Sequence, residues 1–108
     1  MKLKQIILFL SLIMAFSLTA FSGHIDTNTT WSSDIIITGD TWIDEGITLT
    51  IAAGVTVSFP KVDGNADGIG DVDFIINGRL LTQGAPGNKV IFTSLEDNPA
   101  PSDWGGID

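Results

Sequence analysis

The stretch Gly46-Ile47-Thr48-Leu49-Thr50-Ile51-Ala52-Ala53-Gly54-Val55-Thr56-Val57-Ser58-Phe59 decides how this chain folds. It holds one unit written twice: Gly, apolar, Thr, apolar, hydroxyl, apolar. Ile47, Leu49 and Ile51 share one face, with Thr48 and Thr50 on the other; Val55, Val57 and Phe59 repeat this against Thr56 and Ser58. Alternation of period two marks a strand with one face buried and the other wet. The link between the units is Ala52-Ala53-Gly54. A two-residue hairpin needs positive φ at set positions, which Asn-Gly, Asp-Gly or a leading Gly provides. Ala52-Ala53 provides none, so the link predicts a gentler bend that carries the chain onward. Gly39, Gly46 and Gly54 stand seven and eight residues apart. Three sides of that length make a coil of about 22 residues, within the period range of solenoids. Such coils stack, each strand pairing in parallel with its copy in the next coil.

Outward from this stretch the β signals continue. Asp34-Ile35-Ile36-Ile37-Thr38 ends at Gly39-Asp40, and Thr41-Trp42-Ile43 ends at Asp44-Glu45. Further on come Asp73-Phe74-Ile75-Ile76-Asn77, Arg79-Leu80-Leu81-Thr82 and Lys89-Val90-Ile91-Phe92-Thr93. Each is rich in β-branched or aromatic residues and bounded by Gly, Asn, Asp or Pro. Past the N-terminal segment no apolar set keeps helical spacing, so the fold class expected is all-β.

The N-terminal segment is of another kind. Lys2 and Lys4 precede a run from Ile6 to Phe21 that is apolar apart from Ser11, Ser17 and Thr19. Ala20 and Ser22 have the spacing for cleavage after Ser22. Residues 1–22 therefore read as a signal-peptide helix, and the chain as Sec-exported, secreted or held at the cell surface. The run is shorter than the roughly 20 uninterrupted apolar residues of a span, so no stable membrane span is expected after cleavage. The sequence has no Cys, which argues against a lipid anchor and against disulfides as the source of stability. Residues 23–33 read as a loose polar lead-in, and residues 34–108 as cap and first coils with an Asp-rich insertion over 60–73.

All 13 acidic residues lie after residue 22, against Lys61, Arg79 and Lys89 alone, which leaves a net charge of −10 there. Nucleic acid and anionic membrane surfaces demand a basic face, so neither is expected as a partner. Clustered carboxylates suit metal cations instead.

The order of four phrases carries a family resemblance: Leu49-Thr50-Ile51-Ala52-Ala53-Gly54-Val55-Thr56-Val57, then Ile76-Asn77-Gly78-Arg79-Leu80-Leu81-Thr82-Gln83-Gly84, then Asn88-Lys89-Val90-Ile91-Phe92-Thr93-Ser94, then Asp103-Trp104-Gly105-Gly106-Ile107. Over Thr48 to Ile107 the chain resembles the N-terminal coils of exported bacterial right-handed parallel β-helix proteins. The resemblance implies that solenoid fold, an extracellular setting, and a chain that is the N-terminal fragment of a longer β-helix whose remainder packs on these coils. It implies no single activity, because the architecture hosts lyases, hydrolases, adhesins and stalks.

The sequence departs from that pattern between Phe59 and Phe74, where the usual connection is shorter. Asp63-Gly64-Asn65-Ala66-Asp67-Gly68-Ile69-Gly70-Asp71 matches the first nine positions of an EF-hand-type calcium loop. Asp63, Asn65 and Asp67 fall at positions 1, 3 and 5, Gly68 at the sharp turn, Ile69 at the carbonyl position, and Asp71 at position 9. Position 12 calls for a bidentate acid, and Phe74 stands there; Asp73, one residue earlier, is the substitute. The loop also resembles the Asp-rich repeats of thrombospondin type 3 and dockerin-like proteins. The other reading is a solvated turn, whose ordinary residues are Gly, Asp and Asn. The metal site expected is Asp63, Asn65, Asp67, Ile69, Asp71 and Asp73, with a structural Ca2+.

The remaining chemistry-bearing residues read as structural. Trp31, Trp42 and Trp104 read as packing residues rather than sugar platforms, with Trp104 covering a coil edge. His24 reads as a solvated histidine with no partner for a zinc site. Asp44-Glu45 and Glu96-Asp97 read as surface charge, since glycosidase carboxylates must face each other across a cleft. Arg79 and Lys89 are the candidate bases of a lyase, with nothing linking them to the Asp loop. No catalytic residue is assigned. Two functions stay open: an exported, non-catalytic surface or structural module that meets calcium and extracellular polysaccharide or cell-surface material, or the N-terminal part of a carbohydrate-active enzyme whose active site lies past residue 108.

Overall fold

The computed structural model describes residues 19–108. They form nine strands: β1 (Thr19–Ile25), β2 (Thr29–Trp31), β3 (Ile35–Ile43), β4 (Thr48–Ile51), β5 (Thr56–Phe59), β6 (Asp73–Ile76), β7 (Arg79–Thr82), β8 (Ile91–Ser94) and β9 (Gly106–Ile107). Every pairing between them is parallel. The strands make three stacks. In the first, the C-terminal half of β1 lies on that of β3, then β6, then β9. The second is β2, β4, β7. The third is the N-terminal half of β1, that of β3, then β5 and β8. The chain visits the stacks in that order three times, which is a parallel β-helix.

The twice-written unit forms two sides of one coil, as its link requires. β4 belongs to the second stack and β5 to the third, and they share no ladder. Gly46 and Gly54 hold φ of 81° and 82°, so the positive φ that Ala could not adopt at low cost falls on the glycines. Ile35 pairs with Val57, a step of 22 residues, the coil length expected. The next coil is longer because loops at 60–72 and 83–90 interrupt it.

Alternation places the core. Leu49, Ile51, Val57 and Phe59 are fully buried, Val55 nearly so, while their hydroxyl neighbours are half-exposed. Aromatic rings fill the axis. Phe74 packs against Trp31, Phe59 and Phe92 at centroid distances of 6.2, 6.4 and 6.4 Å.

The corners carry a second device. Oδ1 of Asn28, Asp34 and Asp40 each accepts, at 2.9 Å, the backbone N–H of the residue opening a strand or rung in the next coil: Thr48, Thr56 and Asp73. Each of the three stacks thus has a side chain that ties one coil to the next.

Two local expectations are corrected. Residues 23–33 are not a loose lead-in: they hold the end of β1 and all of β2, the first coil. Only Ile25 and Trp31 face inward there, too few for an alternation to show, and the ladder comes from β3 and β4, supplied by later sequence. The runs at 34–38 and 41–43 are not separate strands but the single strand β3, whose two halves pair with β5 and β6. Gly39-Asp40 turns the corner while the backbone stays extended, and the pairing with β1 shifts register between Phe21 and Gly23 to match. The signal-peptide helix expected over 1–22 lies outside the described residues up to residue 18; residues 19–22 are strand. No helix among the described residues is long and apolar enough to cross a membrane.

Candidate metal centre

The connection from β5 to β6 is the Asp-rich loop. Its fold follows from short polar side chains capping their own backbone. Asp63 accepts the N–H groups of Asp67 and Gly68 at 3.2 and 2.9 Å. Asn65 Oδ1 accepts from Asp67 at 3.3 Å, and Asp67 Oδ1 from Ile69 at 2.8 Å. Asp71 Oδ2 closes the loop on the N–H of Gly64 at 2.7 Å. Gly68 takes φ of 86° at the turn.

This winding brings carboxylate oxygens of Asp63, Asp67 and Asp71 within 4.8 Å of one another. Those are positions 1, 5 and 9 of the motif, and Asn65 shares an N–H donor with Asp63. Three carboxylates and an amide oxygen are a hard, all-oxygen donor set that suits calcium or magnesium rather than zinc or copper. The structure does not bring Asp73 into this group. Its N–H goes to Asp40, and its carboxylate rests against Gly105. Burial, with Asp108, Asp40 and Asp71 nearby, pushes the Asp73 carboxyl above its usual range. Phe74, at the position of the bidentate acid, is wholly in the core. The side chain of Ile69 is exposed.

The loop is clamped to the segment before β9. The Gly70 N–H donates to the Ser102 carbonyl at 2.7 Å, and that of Asp71 to the Val62 carbonyl at 2.6 Å. Lys61 Nζ lies 3.9 Å from Asp103 Oδ1. Asp103 is only 3% exposed and accepts the Ala100 N–H at 3.0 Å. That hydrogen bond, another from Ser94 and the Lys61 charge hold its carboxyl below the usual range against the opposing effect of burial. Because its folded pKa is depressed, Asp103 stabilises the fold above about pH 4 and loses that contribution as pH falls through the folded value. Asp73, shifted upward, acts in the opposite sense: its protonation favours the fold. Asp103→Asn is therefore expected to lower the melting temperature near neutral pH and to converge on the wild type in acid, as a pH series of thermal melts would read.

Sequence reasoning missed Lys61 and Asp103, and it missed the partners of His24. The imidazole stacks on Trp42 at 4.5 Å with planes 6° apart, and its Nδ1 is 2.6 Å from Asp44 Oδ1. It is an exposed residue, as a solvated histidine is expected to be. No sequence signal announced the pair: a period of about 22 residues would set Gly46 against His24, whereas the step between these two strands is 18 residues and brings Trp42 there. Trp104 lies face to face with Phe59 at 3.6 Å, a packing role as expected. Arg79 and Lys89 are exposed and form no ion pair among the described residues, which also enclose no pocket.

No curated protein and no solved structure matches the chain significantly. A family model described as a pectate-lyase like β-helix domain matches residues 23–108. Parallel coils and a match over most of its length agree: the chain belongs to the pectate-lyase-like β-helix domain family.

Proposed function

We propose that this chain is part of an exported β-helix protein serving as a non-catalytic surface or structural module, with a calcium ion stiffening loop 63–71. The observation that carries this is the convergence of Asp63, Asp67 and Asp71 in a loop clamped onto the coils. Three carboxylates at that spacing repel one another, and a cation removes the repulsion. Asn65 supplies a fourth oxygen, and the carbonyl of Ile69 with water completes the six to eight that calcium takes. With no bidentate acid at position 12, the expected affinity is that of extracellular modules, about 10⁻⁴–10⁻³ M.

Calorimetric or terbium titration of the purified protein tests it. One saturable site is expected, and 10 mM calcium over a Kd of about 1 mM adds roughly 1.4 kcal/mol of stability. Asp67→Asn should weaken binding and remove most of that gain. No saturable binding below about 10 mM, beyond the weakest range of such modules, rejects the calcium reading.

A second reading is favoured by the description of the family: a carbohydrate-active β-helix enzyme, with acidic polysaccharide as substrate and its active site past residue 108. The two readings part on one assay, calcium-dependent cleavage of polyuronate by a protein that carries these coils together with those the second reading places past residue 108.

A further inference from the structure

The N-terminal region writes one tripeptide twice, Ala15-Phe16-Ser17 and Ala20-Phe21-Ser22. Each sets small residues at the two positions a signal peptidase reads. The motif alone does not choose between them, but the fold does. Residues 19–25 are β1, and Thr19, Ala20 and Phe21 pair with Ile35, Ile36 and Ile37. Phe21 packs against the core, its ring edge-on to Trp31 at 5.9 Å. Its carbonyl accepts the Thr38 hydroxyl at 3.3 Å. A cut after Ser22 would remove this rung and uncover Trp31 and Ile37, which are 7% and 0% exposed. A cut after Ser17 keeps all of β1. The apolar run Ile6–Met14, broken only by Ser11, then serves as the h-region, with Ser17 three residues beyond it.

We infer that the leader is removed after Ser17, so that the exported chain begins at Leu18 and keeps β1 whole. Water hydrolyses the Ser17–Leu18 peptide bond, leaving a carboxylate on Ser17 and a free amino group on Leu18. This rests on the export proposed above. The family match starts at Gly23, in the middle of β1, and so does not mark an edge of the fold.

The full precursor, expressed in a bacterium with a general secretory pathway, tests the cut by intact mass and N-terminal sequencing. The mature chain is expected to begin at Leu18. Ser17→Leu should block or displace the cut, while Ser22→Leu leaves it in place. A mature chain beginning at Gly23 overturns the inference and leaves export standing. A precursor that stays uncleaved overturns export, and this cut with it. A second measurement is independent of export: chains starting at Leu18 and at Gly23, made in the cytosol, are melted side by side. The shorter is expected to melt about 10 °C lower, or not to fold; equal melting removes the structural ground for the choice.

Discussion

Phe74→Ala is expected to cost about 3–5 kcal/mol of folding stability, enough to bring the chain close to unfolding. The side chain is fully buried, and its ring meets aromatics from all three coils: Trp31 of the first, Phe59 of the second and Phe92 of the third. Truncation removes the burial of a large ring and leaves a cavity on the axis. The surrounding strands are held in register by parallel ladders on three sides and have little freedom to collapse inward. The denaturant midpoint reads the loss, with the m-value checked for constancy. A loss under about 1 kcal/mol, well below the range for buried Phe truncations, would mean that the rings close over the gap and that the axis is not rigidly packed.

Gly70→Ala is the second large effect. A Cβ at Gly70 would overlap the Asp103 carbonyl and the Cα of Trp104, both backbone. No rotamer change relieves that contact, so the loop must lift from the segment before β9. The expected cost is about 1–3 kcal/mol, the range for overpacking. The substitution also breaks the Gly70-to-Ser102 hydrogen bond beside Asp71, so terbium or calcium affinity falls with stability. Gly64→Ala is the control. Its new methyl would lie 3.4 Å from Asp71 Oδ2, a tolerable contact, and stability should stay within about 0.5 kcal/mol. If Gly70→Ala behaves like the control, the clamp between loop and coil does not matter.

The sequence disclosed those parts of the fold whose physics is local. Period-two alternation over 47–59, the unsuitability of Ala52-Ala53 for a hairpin and the spacing of Gly39, Gly46 and Gly54 together pointed to strands, parallel stacking and coil length. The Asp loop was legible for the same reason, since its turn is built from side chains bonding backbone a few residues away. The first coil was not legible. Thr29, Thr30 and Trp31 become a strand only because Leu49, Thr50 and Ile51 lie beside them, 20 residues later. Asp73 stands one residue before the place of the bidentate acid, but the start of β6 turns it away from the loop, toward Asp40 and Gly105. Lys61 and Asp103 meet across 42 residues through the loop clamp, a pairing that no local rule reaches.

The continuity of β3 has a bearing on how the molecule comes apart. One unbroken strand of nine residues belongs to two faces at once and is paired along most of its length to β1. Opening the ladder on one face therefore pulls on the other, which fuses the first two coils into a single cooperative block. The third coil has no such tie: the loop at 60–72 parts it from the second, and the loop at 83–90 parts β8 from β6 and β7, which only Asn77-Gly78 separates, so β8 can detach without them. Amide exchange should then be slowest and most uniform in β3, and grow faster and more scattered toward β7, β8 and β9.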